Sequence, residues 1–183
     1  MLIGGFDLET TGVKVDTDRI CEVAIILQDM ETGSNKLVYV RRINPEMHIS
    51  AGASKVHGMM DADVIGYPVF GSVAPLLTKV IDRCDIIVGH NLIGFDIPLL
   101  AHEMMRCGVK PTKSPELFDT MLEGRWATPD GKMPTLGELC WALDVTYDPT
   151  EAHAAEYDVL KTLECFRRGV ALGNYKLPTK KEP

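Results

Sequence analysis

Phe6-Asp7-Leu8-Glu9-Thr10-Thr11-Gly12 follows a run of apolar or small residues, Leu2-Ile3-Gly4-Gly5, and ends in a turn signal. The pattern predicts a short buried strand whose last residues carry two carboxylates. Side chains at i and i+2 of a strand share a face, so Asp7 and Glu9 project side by side. Two anions that close repel, and burying them without compensation is costly. A hard divalent cation such as Mg²⁺, which takes oxygen ligands from one or two carboxylates and substrate phosphate, is the simplest stabiliser. The plain alternative is a solvated strand end in an acidic chain. Downstream residues decide between the two.

Working outward, Arg19 to Leu27 and Lys36 to Ile43 read as a second and third strand. The turn signal Glu31-Thr32-Gly33-Ser34-Asn35 between them suggests an antiparallel meander. Asn44 to Tyr67 reads as polar and irregular, and Val69 to Arg83 has helical spacing. A buried strand, Asp85 to Gly89, leads through His90-Asn91 into a helix ending near Arg106. Glu116 to Asp119 is a candidate fifth strand, followed by a loop at Thr128-Pro129-Asp130-Gly131-Lys132. Helices are expected at about Leu136–Leu143 and Ala152–Leu172. A meander followed by βαβ-type units predicts an α/β fold, a mixed five-stranded sheet with helices on both faces. One domain is expected over 1–175, with a short polar tail over 176–183.

The chain's 183 residues, 45% of them apolar, suffice for one substantial core. No apolar run approaches ~18 residues and no leader pattern opens the chain, so the expectation is a cytoplasmic protein with no membrane segment. Its five scattered cysteines form no C-x-x-C pair and read as reduced core thiols. A net charge of −7 argues against broad binding of duplex nucleic acid, which relies on basic surface. It leaves room for an enzyme whose bound metal ions contact phosphates.

Two further acids and a histidine stand out. Asp96, in His90-Asn91-Leu92-Ile93-Gly94-Phe95-Asp96, falls in the first turns of the helix after a buried strand. An acid there either answers the helix dipole or sits where sites form in open α/β sheets. His153 and Asp158 lie at the start of the last helix, within Glu151-Ala152-His153-Ala154-Ala155-Glu156-Tyr157-Asp158. Taken alone, His153 reads as a surface histidine and Asp158 as either a solvated helix residue or a carboxylate aimed at a site. Tyr157, Leu160, Leu163, Glu164 and Phe166 make no clean amphipathic face.

In combination these motifs, Asp-x-Glu, His-Asn-x₄-Asp and His-x₄-Asp in that order, resemble the DEDDh family of 3′–5′ exonucleases, which have a ribonuclease H-like fold. The likeness runs from about Leu2 to Leu172. The sister branch carries Tyr-x₃-Asp, whereas the residue four before Asp158 is Ala154. The resemblance implies two divalent metal ions, Mg²⁺ or Mn²⁺. Asp7, Glu9 and Asp158 would ligate one, Asp7 bridging to a second that Asp96 supports. His153 would be the general base that activates water, a task suited to an imidazole of ordinary pKa near ~6.5. The product would be a nucleoside 5′-monophosphate, and the cysteines would have no catalytic part.

For the substrate, the resemblance implies contacts from Thr10, Thr11 and Gly12, with the backbone of Leu8 at the site and its side chain in the core. Val56 and His57 fall in a segment that packs on the terminal base, although His57 equally reads as a loop histidine closing a turn with Gly58. Asn91 either orients the strand or caps the helix. Phe95, next to Asp96, suits stacking on a base. Asp119-Thr120 reads as a helix cap, and Arg125, Trp126 and Lys132 mark a loop able to touch nucleic acid. Single-stranded DNA 3′ ends are the expected substrate, with RNA 3′ ends and a catalytically silent binding module as alternatives. A polymerase partner or a homodimer is compatible with the family.

Overall fold

The computed structural model describes residues 1–178. The expected fraying of 179–183 lies outside the described residues. β1 (Leu2–Thr10) pairs antiparallel with β2 (Ile20–Asp29), which pairs antiparallel with β3 (Asn35–Arg42). Asp29 makes the β2–β3 turn by accepting hydrogen bonds from the amides of Glu31 and Thr32 at 3.1 and 2.9 Å. Two short helices follow, α1 (Ala51–His57) and α2 (Asp61–Val64), then α3 (Phe70–Ile81). β4 (Ile86–Gly89) runs parallel to β1, α4 (Ile97–Cys107) returns, and β5 (Glu116–Asp119) adds in parallel. Helices α5 (Leu136–Ala142) and α6 (Ala155–Ala171) close the described chain. The sheet order β3-β2-β1-β4-β5 is the expected mixed five-stranded sheet.

Strand alternation sorts the core into two layers. Phe6 and Leu8 of β1 join the cluster with Phe70 and Leu77 of α3 and Leu99 of α4. Ile3 joins the opposite cluster, with Leu139 of α5 and Val159, Leu163 and Phe166 of α6. Helices therefore cover both faces, and Asp7 and Glu9 point to the α6 side. Gly5 makes that packing close: a Cβ there would lie 2.5 Å from Leu163 Cγ and 2.7 Å from Val159 Cγ1. Gly5→Ala is expected to cost about 1–3 kcal/mol through overpacking. A urea midpoint equal to wild type would contradict this seating of α6 on β1.

The structure corrects three local expectations. Asn44 to Tyr67 is not irregular throughout, since it contains α1 and α2. Helix α1 is capped by Ser50 Oγ, which accepts from Ala53 N at 3.2 Å, and stopped by Gly58 at φ 75°. None of its residues is buried, so no apolar period announced it. Helix α6 starts at Ala155 rather than Ala152, leaving His153 in the preceding turn at φ 65°. It does have a regular core stripe, made of Ala155, Val159, Thr162, Phe166 and Gly169. Small and polar members hide that stripe from a search for large apolar residues.

Candidate active site

The parallel strands β1, β4 and β5 present their C-terminal ends at one edge of the sheet, the usual location of a site in such folds. Asp7 and Glu9 stand at the end of β1, and Asp158 reaches the same rim from the first turn of α6. The chain does not leave β4 directly into an α-helix, as expected; residues Leu92–Asp96 form a π-helical turn before α4. Asp119 at the end of β5 shapes it, accepting from the amides of Asn91 and Ile93 at 3.1 and 2.9 Å and of Met121 at 3.0 Å. Asp119 thus caps two turns at once. Asn91, at φ 66°, makes no side-chain cap, which removes the capping alternative for it. The wide turn delivers Asp96, 3% exposed, beneath β1, where its Oδ1 accepts the amide of Leu8 at 3.1 Å.

The acids raise one another's affinity for protons. Burial, then the charge of Asp158, pushes Asp7 up to about 8. Burial, then the charge of Asp7, pushes Glu9 up to about 9. Asp96 is raised by burial and by Asp7. Asp158 is raised by burial, partly offset by the hydrogen bond its Oδ2 accepts from His153 N at 2.9 Å. None of the four forms an ion pair among the described residues. Asp158 Oδ1 is buried with no hydrogen-bond partner among the described residues. Four carboxylates without a counter-cation and one orphaned oxygen are a donor set for a hard divalent cation. Among the described residues, no three His, Cys, Asp or Glu side chains form a ready-made cage.

A cleft of about 560 Å³ opens beside these acids, lined by Asp7 and Asp158 with Asn91, His153, His90 and Tyr147. His153 is exposed, and its positive φ is held by the hydrogen bond from its amide to Asp158. His90 was not among the expected site residues. Its Nε2 lies 3.0 Å from Pro134 O, which only accepts, so that nitrogen carries the proton. Its Nδ1 lies 3.0 Å from Thr120 Oγ1. His90 thereby ties the loop wall of the cleft to the ends of β4 and β5. Its position directly after a buried strand, beside Asn91, was the available signal.

The expected substrate residues divide. Leu8 is core at 4% exposure, with its backbone at the site. Thr10 Oγ1 donates to Gly12 O at 2.7 Å, and Thr11 Oγ1 accepts Arg19 N at 3.0 Å, so both hydroxyls are engaged within the turn. His57 Nδ1 accepts Met59 N at 3.1 Å and its Nε2 donates to Thr10 O at 3.0 Å. Its ring nitrogens therefore close the turn and fasten α1 to β1, leaving the ring's faces and edges for any further contact. Val56 is half exposed. Phe95 is partly buried against the layer that holds Phe6 and Leu8. Replacing His57 by Ala is expected to cost about 1–2 kcal/mol through the two lost backbone contacts, measured by thermal unfolding.

A model of the RNase_T exonuclease family matches residues 5–166. The chain belongs to that family. The match runs from β1 into α6 and so includes all four acids and His153. It makes the chain an exonuclease domain, a nucleic-acid-processing hydrolase. Ribonuclease T from Buchnera aphidicola is 30% identical over 87% of this chain and 79% of its own length. DNA polymerase III subunit epsilon, also from Buchnera aphidicola, is 29% identical over 83% of this chain and 65% of its own. The PolC-type DNA polymerase III of Ureaplasma parvum is 29% identical over 88% of this chain, which spans only 11% of that protein. Among solved structures, E. coli exonuclease I with a dT13 oligonucleotide superposes with a TM-score of 0.79 at 19% identity, covering 95% of this chain and 43% of that one. That likeness shows the fold, and its ribonuclease H-like character agrees with the expected architecture. No helix among the described residues is long and apolar enough to cross a membrane.

Proposed function

We propose that this chain removes nucleoside 5′-monophosphates from the 3′ end of single-stranded DNA. The observation that carries the reading is the convergence of Asp7, Glu9, Asp96 and Asp158, without a counter-cation among the described residues, beside a cleft that Asp7, Asp158 and His153 line. Asp7, Glu9 and Asp158 would hold one divalent cation, and Asp7 with Asp96 a second, Mg²⁺ or Mn²⁺ being the hard ions this oxygen set suits. When bound, such ions stabilise the attacking and leaving oxygens of an in-line phosphoryl displacement. His153 takes the proton from the attacking water, and its exposed place in a fixed turn lets the ring meet that water at the cleft mouth. Asp158 orients His153 through the latter's amide, so ligand and base move as one unit. The backbone of Leu8, Thr10, Thr11 and Gly12 would meet the terminal nucleotide. Val56 and the rings of His57 and Phe95 would pack on its base, and Asn91, on the cleft wall, would orient the strand.

RNA 3′ ends are the second reading, favoured by the similarity to ribonuclease T, most of whose length this chain spans. A polymerase partner is suggested by the similarity to the epsilon subunit, and a homodimer and a cytoplasmic setting remain parts of the same proposal. The test is a time course on 5′-labelled single-stranded DNA and matched RNA, with Mg²⁺, Mn²⁺ or EDTA. A ladder shortening from the 3′ end and abolished by EDTA is expected, faster on DNA. Faster shortening of RNA would move the assignment to the second reading. Intact oligonucleotides under every metal would overturn the catalytic reading in favour of a binding module.

A further inference from the structure

Across the end of the sheet, Glu9 of β1 stands directly opposite Glu22 of β2, and Glu22 directly opposite Arg42 of β3. The next row inward on this face is Asp7, Ala24 and Val40, of which Ala24 and Val40 pack into the α6 layer. All three charged side chains of the outer row therefore share the face of the candidate cation site. Like charges directly opposite on paired strands destabilise a sheet, so Glu22 beside Glu9 has a cost that the fold by itself does not explain. Glu22 adds to the repulsion felt by both Asp7 and Glu9. Its partner is on the far side: Arg42 Nε lies 3.3 Å from Glu22 Oε2, with the glutamate side chain 15% exposed.

We infer that Glu22 is a positioning residue for the cation site, a further carboxylate that strengthens its field, and that Arg42 is the counter-charge that limits it. The inference rests on the reading of the four acids as cation ligands. Glu22 need not touch the ion. Through the short β1–β2 spacing its charge, like Glu9's, draws a dication and its ordered waters toward the end of β1, and Arg42 keeps Glu22 extended toward β3. Removing either member changes the field at the site in opposite senses.

The test is Mn²⁺ binding, followed by electron paramagnetic resonance and calorimetry without nucleic acid, on wild type, Asp7→Asn, Glu22→Gln and Arg42→Gln. Wild type is expected to bind and Asp7→Asn to lose binding. Glu22→Gln is expected to weaken Mn²⁺ binding about three- to tenfold, and Arg42→Gln to tighten it by a similar or smaller factor. A merely structural ion pair would move both variants together, through a shared loss of order. Equal signs, or unchanged affinities in both with wild-type binding intact, overturn the role of Glu22 and leave the four-acid reading standing. If wild type binds no Mn²⁺, the four-acid reading fails, and this one with it.

Discussion

Asp7→Asn is expected to lower exonuclease turnover by about a thousandfold or more while making the cation-free protein more stable. The two effects have one cause. Asp7 and Glu9 hold their protons up to about 8 and about 9 because the fold buries both, Asp7 beside the charge of Asp158 and Glu9 beside those of Asp7 and Asp158. In the unfolded chain such acids release their protons near pH 4. Between these limits the folded state binds more protons than the unfolded one, so cation-free stability falls as pH rises through the window. An amide removes one charge from that cluster, and a gain of about 1–3 kcal/mol at pH 8 is the expected result. A divalent cation binds the deprotonated acids, so its stabilisation of wild type must grow with pH. Melting temperatures with and without Mg²⁺ at pH 5.5 and pH 8.5 measure this directly. A cation shift equal at both pH values, or an Asp7→Asn protein less stable than wild type at pH 8, would refute the description of the cluster.

His153→Ala is expected to reduce turnover about 10²- to 10⁴-fold, the usual range for loss of a general base. It should do so with little change in stability, because the hydrogen bond to Asp158 comes from the His153 backbone and the ring is exposed. Mn²⁺ binding should survive for the same reason. Unchanged turnover would end the general-base role. Loss of metal binding together with turnover would instead mean that the turn carrying His153 has collapsed. His153→Gly, which eases the positive φ, separates the cases by keeping that turn.

The two expectations were legible to different degrees. Asp7 and Glu9 declare themselves because a strand's two-residue period places them on one face whatever the rest of the chain does. Asp96 does not: what brings it under Leu8 is the π-helical turn, and that turn is held by Asp119, 23 positions further along. Long-range hydrogen bonding of this kind has no local signature. The role of His90 was not legible for a similar reason, since its two partners lie 30 and 44 residues away.

Strand alternation, helical spacing and turn chemistry were enough to determine from the sequence alone the order of the five strands and of α3 to α6, the meander and the mixed sheet, but not α1, α2 or the π-helical turn. These depend on neighbours within a few positions. Tertiary structure decided that Glu9 and Glu22 share a row with Arg42, that the rings and hydroxyls of His57, Thr10 and Thr11 are engaged in turns, and that His153 sits ahead of α6 rather than within it. Each depends on strand register or on a particular side chain meeting a particular backbone group, near or far in sequence. Many sequences satisfy the same local rules while placing those partners elsewhere.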